Sequence, residues 1–320
     1  MIDIVYIGGM GRSGSTLLER LLSQLQGCVA IGELRYLWYE DPTVARCGCG
    51  RLLVECDFWN EVSVKSEVPF TADGFQEMLA LQQHVDRLRY LPHMVARPVA
   101  GQSYSQRFEQ YSETLRRVYH AALEVGNGQV IVDSSKDISM LYLLTQMSDV
   151  RLRLLHLVRD SRAVAYSWTK TVVRPHVVDQ VTYMNRYSPT WSSADWLYRN
   201  TLTEAAHGRA CDYLRLRYED LIADPRGALR LAADFMGLPD ADLGFIGPNK
   251  EVYLARETHT VVGNPMKFKP GGLQLRLDDA WRQALRPGDR RLVTALTWPL
   301  LRRYGYHQNE RVAETASETS

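Results

Sequence analysis

Apolar runs that end at glycine alternate along this chain with stretches whose leucines are spaced for one face of a helix. The first run, Ile4 to Ile7, stops at Gly8-Gly9 and predicts a buried strand. Leu17, Leu18, Leu21, Leu22 and Leu25 follow at helical spacing and predict a helix that ends near Gly27. Strand signals recur over 130–132, 153–158 and 213–218. Helical patterns fill 76–90, 104–125 and 160–171. A further one opens at Asp224-Pro225, a cap and first-turn pair, and stops at Gly237. Strands alternating with helices predict an α/β fold, a mainly parallel sheet with helices on both faces. The region 71–125 reads as a helical insert. No repeat or linker divides the chain, so one domain is expected over 1–308, with 309–320 as a frayed polar tail.

Composition narrows the partners. Lys plus Arg number 38 against 37 for Asp plus Glu, a net charge of +1, which argues against a chain that lives on bulk nucleic acid or anionic membrane. No apolar run approaches the roughly 20 residues of a membrane helix, and the mean hydropathy is −0.27. With no basic, apolar leader at its start, the chain is expected in the cytoplasm. Five cysteines, an odd count, do not read as a disulfide framework.

Between the first strand and helix, residues 9–16 read Gly-Met-Gly-Arg-Ser-Gly-Ser-Thr, the spacing of a phosphate-binding loop of the GxxxxGK[ST] type. Ser15 stands where that motif has lysine. Backbone amides and a helix N-terminus cradle an anion without side-chain help, so a phosphate-like group is expected. The missing lysine removes the point charge that holds the β- and γ-phosphates of ATP, and Arg12 offers a guanidinium instead. The fold is therefore expected to be P-loop-like.

Residues Gly11 to Leu18 resemble the 5′-phosphosulfate loop of sulfotransferases that use 3′-phosphoadenosine 5′-phosphosulfate (PAPS). The Arg-Ser-Gly-Ser-Thr form is similar to the tyrosyl-protein and bacterial branches. Three further blocks follow in family order. Leu155 to Trp168 resembles the 3′-phosphate motif, with Arg159 ending a strand and Ser167 eight residues later. Arg217-Tyr218-Glu219-Asp220-Leu221 is similar to the family's Tyr-Glu-Asp element, whose Tyr lies near the base. Residues 263–269, with Lys267 and Lys269, resemble a basic stretch near the 3′-phosphate.

The resemblance implies a sulfotransferase acting on a hydroxyl-bearing small-molecule, carbohydrate or lipid acceptor. The donor would be held by Gly11, Arg12, Ser13, Gly14, Ser15, Thr16, Arg159, Ser167, Tyr218 and Lys267 or Lys269. It implies catalytic roles for Arg12, for Glu33, placed like the glutamate base of tyrosyl-protein sulfotransferases, and for Lys136, on the block after a strand. No histidine stands beside Lys136, which favours a carboxylate base; His259 is the reserve. No metal is expected. A kinase reading would make Asp133 a magnesium ligand at the end of its strand, and a third reading is a non-catalytic nucleotide binder of the same fold. Cys47, Cys49 and Cys56 supply three thiols, one short of a structural zinc set, and read as loop thiols packed by Phe58 and Trp59. Tyr183, Tyr187, Trp191 and Trp196 read as an aromatic wall for the acceptor or as plain packing.

Overall fold

The computed structural model describes residues 1–96, 101–171, 173–174, 182–183, 185–209, 211–268 and 271–306. Five parallel strands form the central sheet: β1 (Ile2–Gly8), β2 (Cys28–Gly32), β3 (Val130–Asp133), β4 (Val150–Val158) and, after a short hairpin of β5 (Val173–Arg174) and β6 (Thr182–Tyr183), β7 (Asp212–Arg217). Their spatial order is β2-β3-β1-β4-β7. A second hairpin, β8 (Glu251–Leu254) with β9 (Gly271–Gln274), lies outside it.

Alternation along each strand sorts the core into two halves, as the period of a strand requires. Ile2, Ile4 and Tyr6 of β1, Ile31 of β2, Ile131 of β3 and Leu152 and Leu154 of β4 face one side. There the helices Gln102–Val125 and Ile138–Leu144 cover them through Phe108, Tyr111, Leu115 and Leu141. Val5, Ile7, Ala30, Val132, Leu155 and Leu157 face the other, under helix α1 (Ser15–Leu22) and helix Pro225–Met236. Both faces are buried, which is why these strands read as continuous apolar runs.

The expected parallel α/β architecture is observed. Asp224 caps Pro225–Met236 by accepting from the Gly227 amide, and Gly237 closes it at φ 83°. Three local expectations change. β2 is not legible along the chain, because Cys28-Val29-Ala30-Ile31 is a short apolar run, reached by a turn after α1, with no alternation to mark it as a strand. The stretch 76–90 resolves into a helix Ala72–Val85 and a separate turn of 3₁₀ helix at Leu88–Tyr90. Tyr218, expected within a strand, instead opens the helix Tyr218–Ala223 at the carboxyl end of β7. The expected tail at 309–320 lies outside the described residues.

Candidate active site

Every strand of the sheet delivers one candidate group at its carboxyl end, the edge where open α/β sheets bind ligands. β1 runs into the loop at 9–16, and β2 into Glu33. β3 leads to Lys136, β4 to Arg159 and β7 to Tyr218. In spatial order along that edge the groups read Glu33, Lys136, loop, Arg159, Tyr218. At about 4.8 Å between neighbouring strands, the outer strands β2 and β7 stand roughly 19 Å apart. The groups share one cavity of about 650 Å³.

The loop is built for close approach. Gly14 sits at φ 93° as the cap of α1, and a Cβ there would fall 2.4 Å from the Tyr218 ring. Only glycine meets both demands. Gly11, Arg12, Gly14, Ser15 and Thr16 line the cavity, whereas the Ser13 side chain is buried outside its lining. The Arg12 guanidinium lies 5.0 Å from the Trp168 ring centroid.

Glu33 and Lys136 meet. Lys136 Nζ donates to Glu33 Oε1 at 2.7 Å and to the Ser134 carbonyl at 2.5 Å. Lys136 takes a left-handed φ of 58°, which turns the chain between β3 and the helix that Asp137 caps. Behind the pair lies Glu19, a residue that the motifs do not single out. Its buried carboxylate accepts from the Gly32 amide at 2.7 Å and from Ser134 Oγ at 2.8 Å. It thereby ties together the two turns that carry Glu33 and Lys136. Burial lifts the Glu19 carboxyl to about 7, against the pull of Ser134, Lys136 and Gly32. The sequence does hold a signal for it: an acid set among the leucines of α1.

On the other side of the loop, Arg159 donates to the Arg12 carbonyl at 3.1 Å, to Asp278 Oδ2 at 3.3 Å, and covers the Tyr218 ring at 4.6 Å. Glu219 steadies this corner by accepting from the Asp160 amide and from the Tyr306 hydroxyl at 2.7 Å. Ser167 lines the same cavity.

Other residues singled out by the sequence stand elsewhere. Lys267 is buried with its ammonium 3.2 Å from the Arg46 carbonyl and 3.5 Å from that of Thr260, outside the cavity lining. Lys269 lies outside the described residues. His259, the reserve base, contacts Cys47 and Cys56 and is not part of the lining. Asp133 is fully buried, accepting from Tyr119 Oη at 2.6 Å and the Ser135 amide, with burial raising it to about 6. It offers no oxygen to the cavity. Of the aromatic segment, Tyr187 and Trp191 stack at 3.9 Å and line the cavity, while Trp196 is core and donates to the Arg159 carbonyl. Tyr36 and Arg199 complete the wall beside Lys136, and Arg199 donates to its carbonyl.

Comparison with known proteins gives a family match over residues 4–242, described as the sulfotransferase family. No curated protein matches. Solved structures similar to the chain include a sulfotransferase domain from the olefin synthase of Synechococcus PCC 7002, at 19% identity over 92% of this chain and 93% of that one, with TM-score 0.38. A sulfotransferase domain from the curacin biosynthetic pathway is 14% identical over 92% and 97%, TM-score 0.45. A sulfotransferase from Mycobacterium avium is 15% identical over 74% and 64%, TM-score 0.39.

Proposed function

Because the chain belongs to the sulfotransferase family, we propose that it transfers the sulfonate of PAPS to a hydroxyl group of a small-molecule, carbohydrate or lipid acceptor. The observation that carries this reading is the order of groups along the sheet edge, with an acid–lysine pair on one side of the anion loop and an arginine on the other. A donor with a sulfonate at one end and a 3′-phosphate at the other needs two separate cationic sites, and cations on both sides of the loop suit it.

In this mechanism the loop amides and Arg12 bind the phosphosulfate. Arg159 and Ser167 hold the 3′-phosphate, and Tyr218 lies beside the nucleoside. Glu33 takes the proton of the acceptor hydroxyl as its oxygen forms a bond to sulfur. The bond from sulfur to the bridging oxygen breaks, Lys136 neutralises the charge that develops there, and adenosine 3′,5′-bisphosphate leaves. Positioning and charge stabilisation then carry the reaction, as in the analogous transfer of phosphoryl groups. Tyr36, Tyr187 and Trp191 would face the acceptor.

The test is incubation of the purified chain with ³⁵S-labelled PAPS and a cell extract, followed by identification of the labelled product. A sulfated hydroxyl compound formed only with active chain supports the reading. Phosphate transfer from ATP in the same extract, without sulfate transfer, would overturn it and favour the kinase.

A further inference from the structure

Outside this cavity, the fold brings a fourth donor to the three thiols. Cys47 and Cys49 lie on a tight turn in which the Cys47 amide bonds the Arg51 carbonyl and the Gly50 amide bonds the Cys47 carbonyl. Cys56 caps the ten-residue helix Asp57–Ser66, and His259 arrives from more than 200 residues later. No two of the thiols are bridged, and all four donor atoms lie within 4.8 Å of one another.

The separations around Cys56 and between Cys47 and His259 are close to those of ligands around one ion. Cys47 and Cys56 sulfurs are 3.6 Å apart, and those of Cys49 and Cys56 3.8 Å. His259 Nδ1 lies 3.3 Å from Cys56 Sγ and 3.7 Å from Cys47 Sγ. A tetrahedral zinc, with bonds of about 2.3 Å to sulfur and 2.05 Å to nitrogen, spaces sulfurs about 3.8 Å apart and sulfur from nitrogen about 3.6 Å. The surroundings also fit. Phe58 stacks flat on the His259 ring at 4.7 Å and 4°, and Trp59 donates to the His259 carbonyl at 2.8 Å, so the ring is packed on one face and the backbone that carries it is anchored. Lys267, a buried ammonium bonded only to the Arg46 and Thr260 carbonyls among its described hydrogen bonds, lies against the same two segments. Three thiolates and one imidazole around Zn²⁺ carry a net charge of −1, which gives that buried cation its counter-charge.

The geometry points to a closed structural zinc site formed by Cys47, Cys49, Cys56 and His259. With four protein ligands it keeps no open position and so takes no part in chemistry. Its work is mechanical. Two residues after His259, Val261 exchanges backbone hydrogen bonds with Ile31 and Glu33, and extends the sheet beyond β2. Gly32 runs so close to Val261 that a Cβ on it would fall 2.2 Å from the Val261 carbonyl. The next residues, Val262, Gly263 and Asn264, form cavity wall. The ion would therefore fasten the strand edge next to Glu33 to the loop at 47–56. That crosslink spans about 200 residues of chain and removes much loop entropy from the unfolded state.

The test uses the full chain, produced without a polyhistidine tag and purified without chelator. Elemental analysis should find about one zinc per chain, and a mercurial that blocks the thiols should release it in that ratio. Cobalt-grown protein should show the intense visible bands of a tetrahedral site with sulfur-to-cobalt charge transfer. Cys56→Ser should lose the zinc. If that variant does not fold, His259→Cys, which keeps four donors, should fold, bind one equivalent and shift the cobalt spectrum toward an all-sulfur set. Folded protein without metal, with Cys47, Cys49 and Cys56 all reactive to a thiol reagent, would overturn the site. A Cys49–Cys56 disulfide in the native protein, or iron in place of zinc, would overturn it equally.

Discussion

Lys136 Nζ lies 2.7 Å from Glu33 Oε1, although 103 residues separate the two in sequence and neither is more than partly exposed. They come from β2 and β3, neighbours at one end of the sheet. The pair sets a carboxylate and an ammonium side by side in the cavity that the loop at 9–16 also lines. In the proposed transfer, an attacking hydroxyl and a leaving-group oxygen need those two groups close together.

Replacing Glu33 with Gln keeps the shape and removes the base. A positioned general base contributes about 10²–10⁴-fold, so kcat for sulfonate transfer should fall by that order. Affinity for adenosine 3′,5′-bisphosphate, measured calorimetrically, should stay almost constant. A near-normal kcat would show that another group takes the proton.

Lys136→Met should also depress kcat, and kcat/KM with it, because the charge it supplies is needed most in the transition state. Single-turnover rates with saturating donor isolate this step. Loss confined to KM would instead assign Lys136 to ground-state binding.

Arg159 contacts the loop carbonyl, Asp278 and Tyr218 from the side of the cavity away from Glu33. Adenosine 3′,5′-bisphosphate should raise Tm clearly, and ATP with magnesium much less. Arg159→Ala should abolish most of the shift, since it strips a charge-assisted contact. Equal stabilisation by ATP would contradict the assignment of the two ends.

Turnover should need no added magnesium. The carboxylate that a magnesium site at the end of β3 requires, Asp133, is spent on Tyr119 and the Ser135 amide. Initial rates with and without magnesium check this, and a strict requirement would revive the kinase reading.

Glu19 links stability to pH. Its carboxyl stands near 7 in the folded chain against 4.5 in an exposed one, because burial penalises the charge. The folded state therefore holds the proton more tightly. Its contribution is fullest below pH 4.5, declines as pH rises toward 7, and levels off above. Glu19→Gln removes that slope, so its Tm relative to the parent should improve between pH 4.5 and 7. Glu19→Leu leaves the Gly32 amide and the Ser134 hydroxyl without an acceptor, at a cost of about 1–3 kcal/mol for each. Urea unfolding across this pH range reads both effects.

What the sequence determined by itself is what neighbours along the chain decide. The glycine loop at 9–16 between a strand and a helix was legible because an apolar run, its glycines and the leucines after them are consecutive, and the Asp224 cap because capping acts within three residues. The parallel α/β class followed from periodicity alone. Tertiary structure decided the rest, because sheet order is a matter of non-local pairing. Only the order β2-β3-β1-β4-β7 places Glu33 against Lys136 and sends Arg159 to the far side of the loop. Only the edge pairing of Val261 with β2 carries His259 to Cys47 and Cys56 and draws Lys267 toward the Arg46 and Thr260 carbonyls, away from the cavity. Three thiols read along the chain are one ligand short, and the fourth is supplied by a contact that closes more than 200 residues of chain.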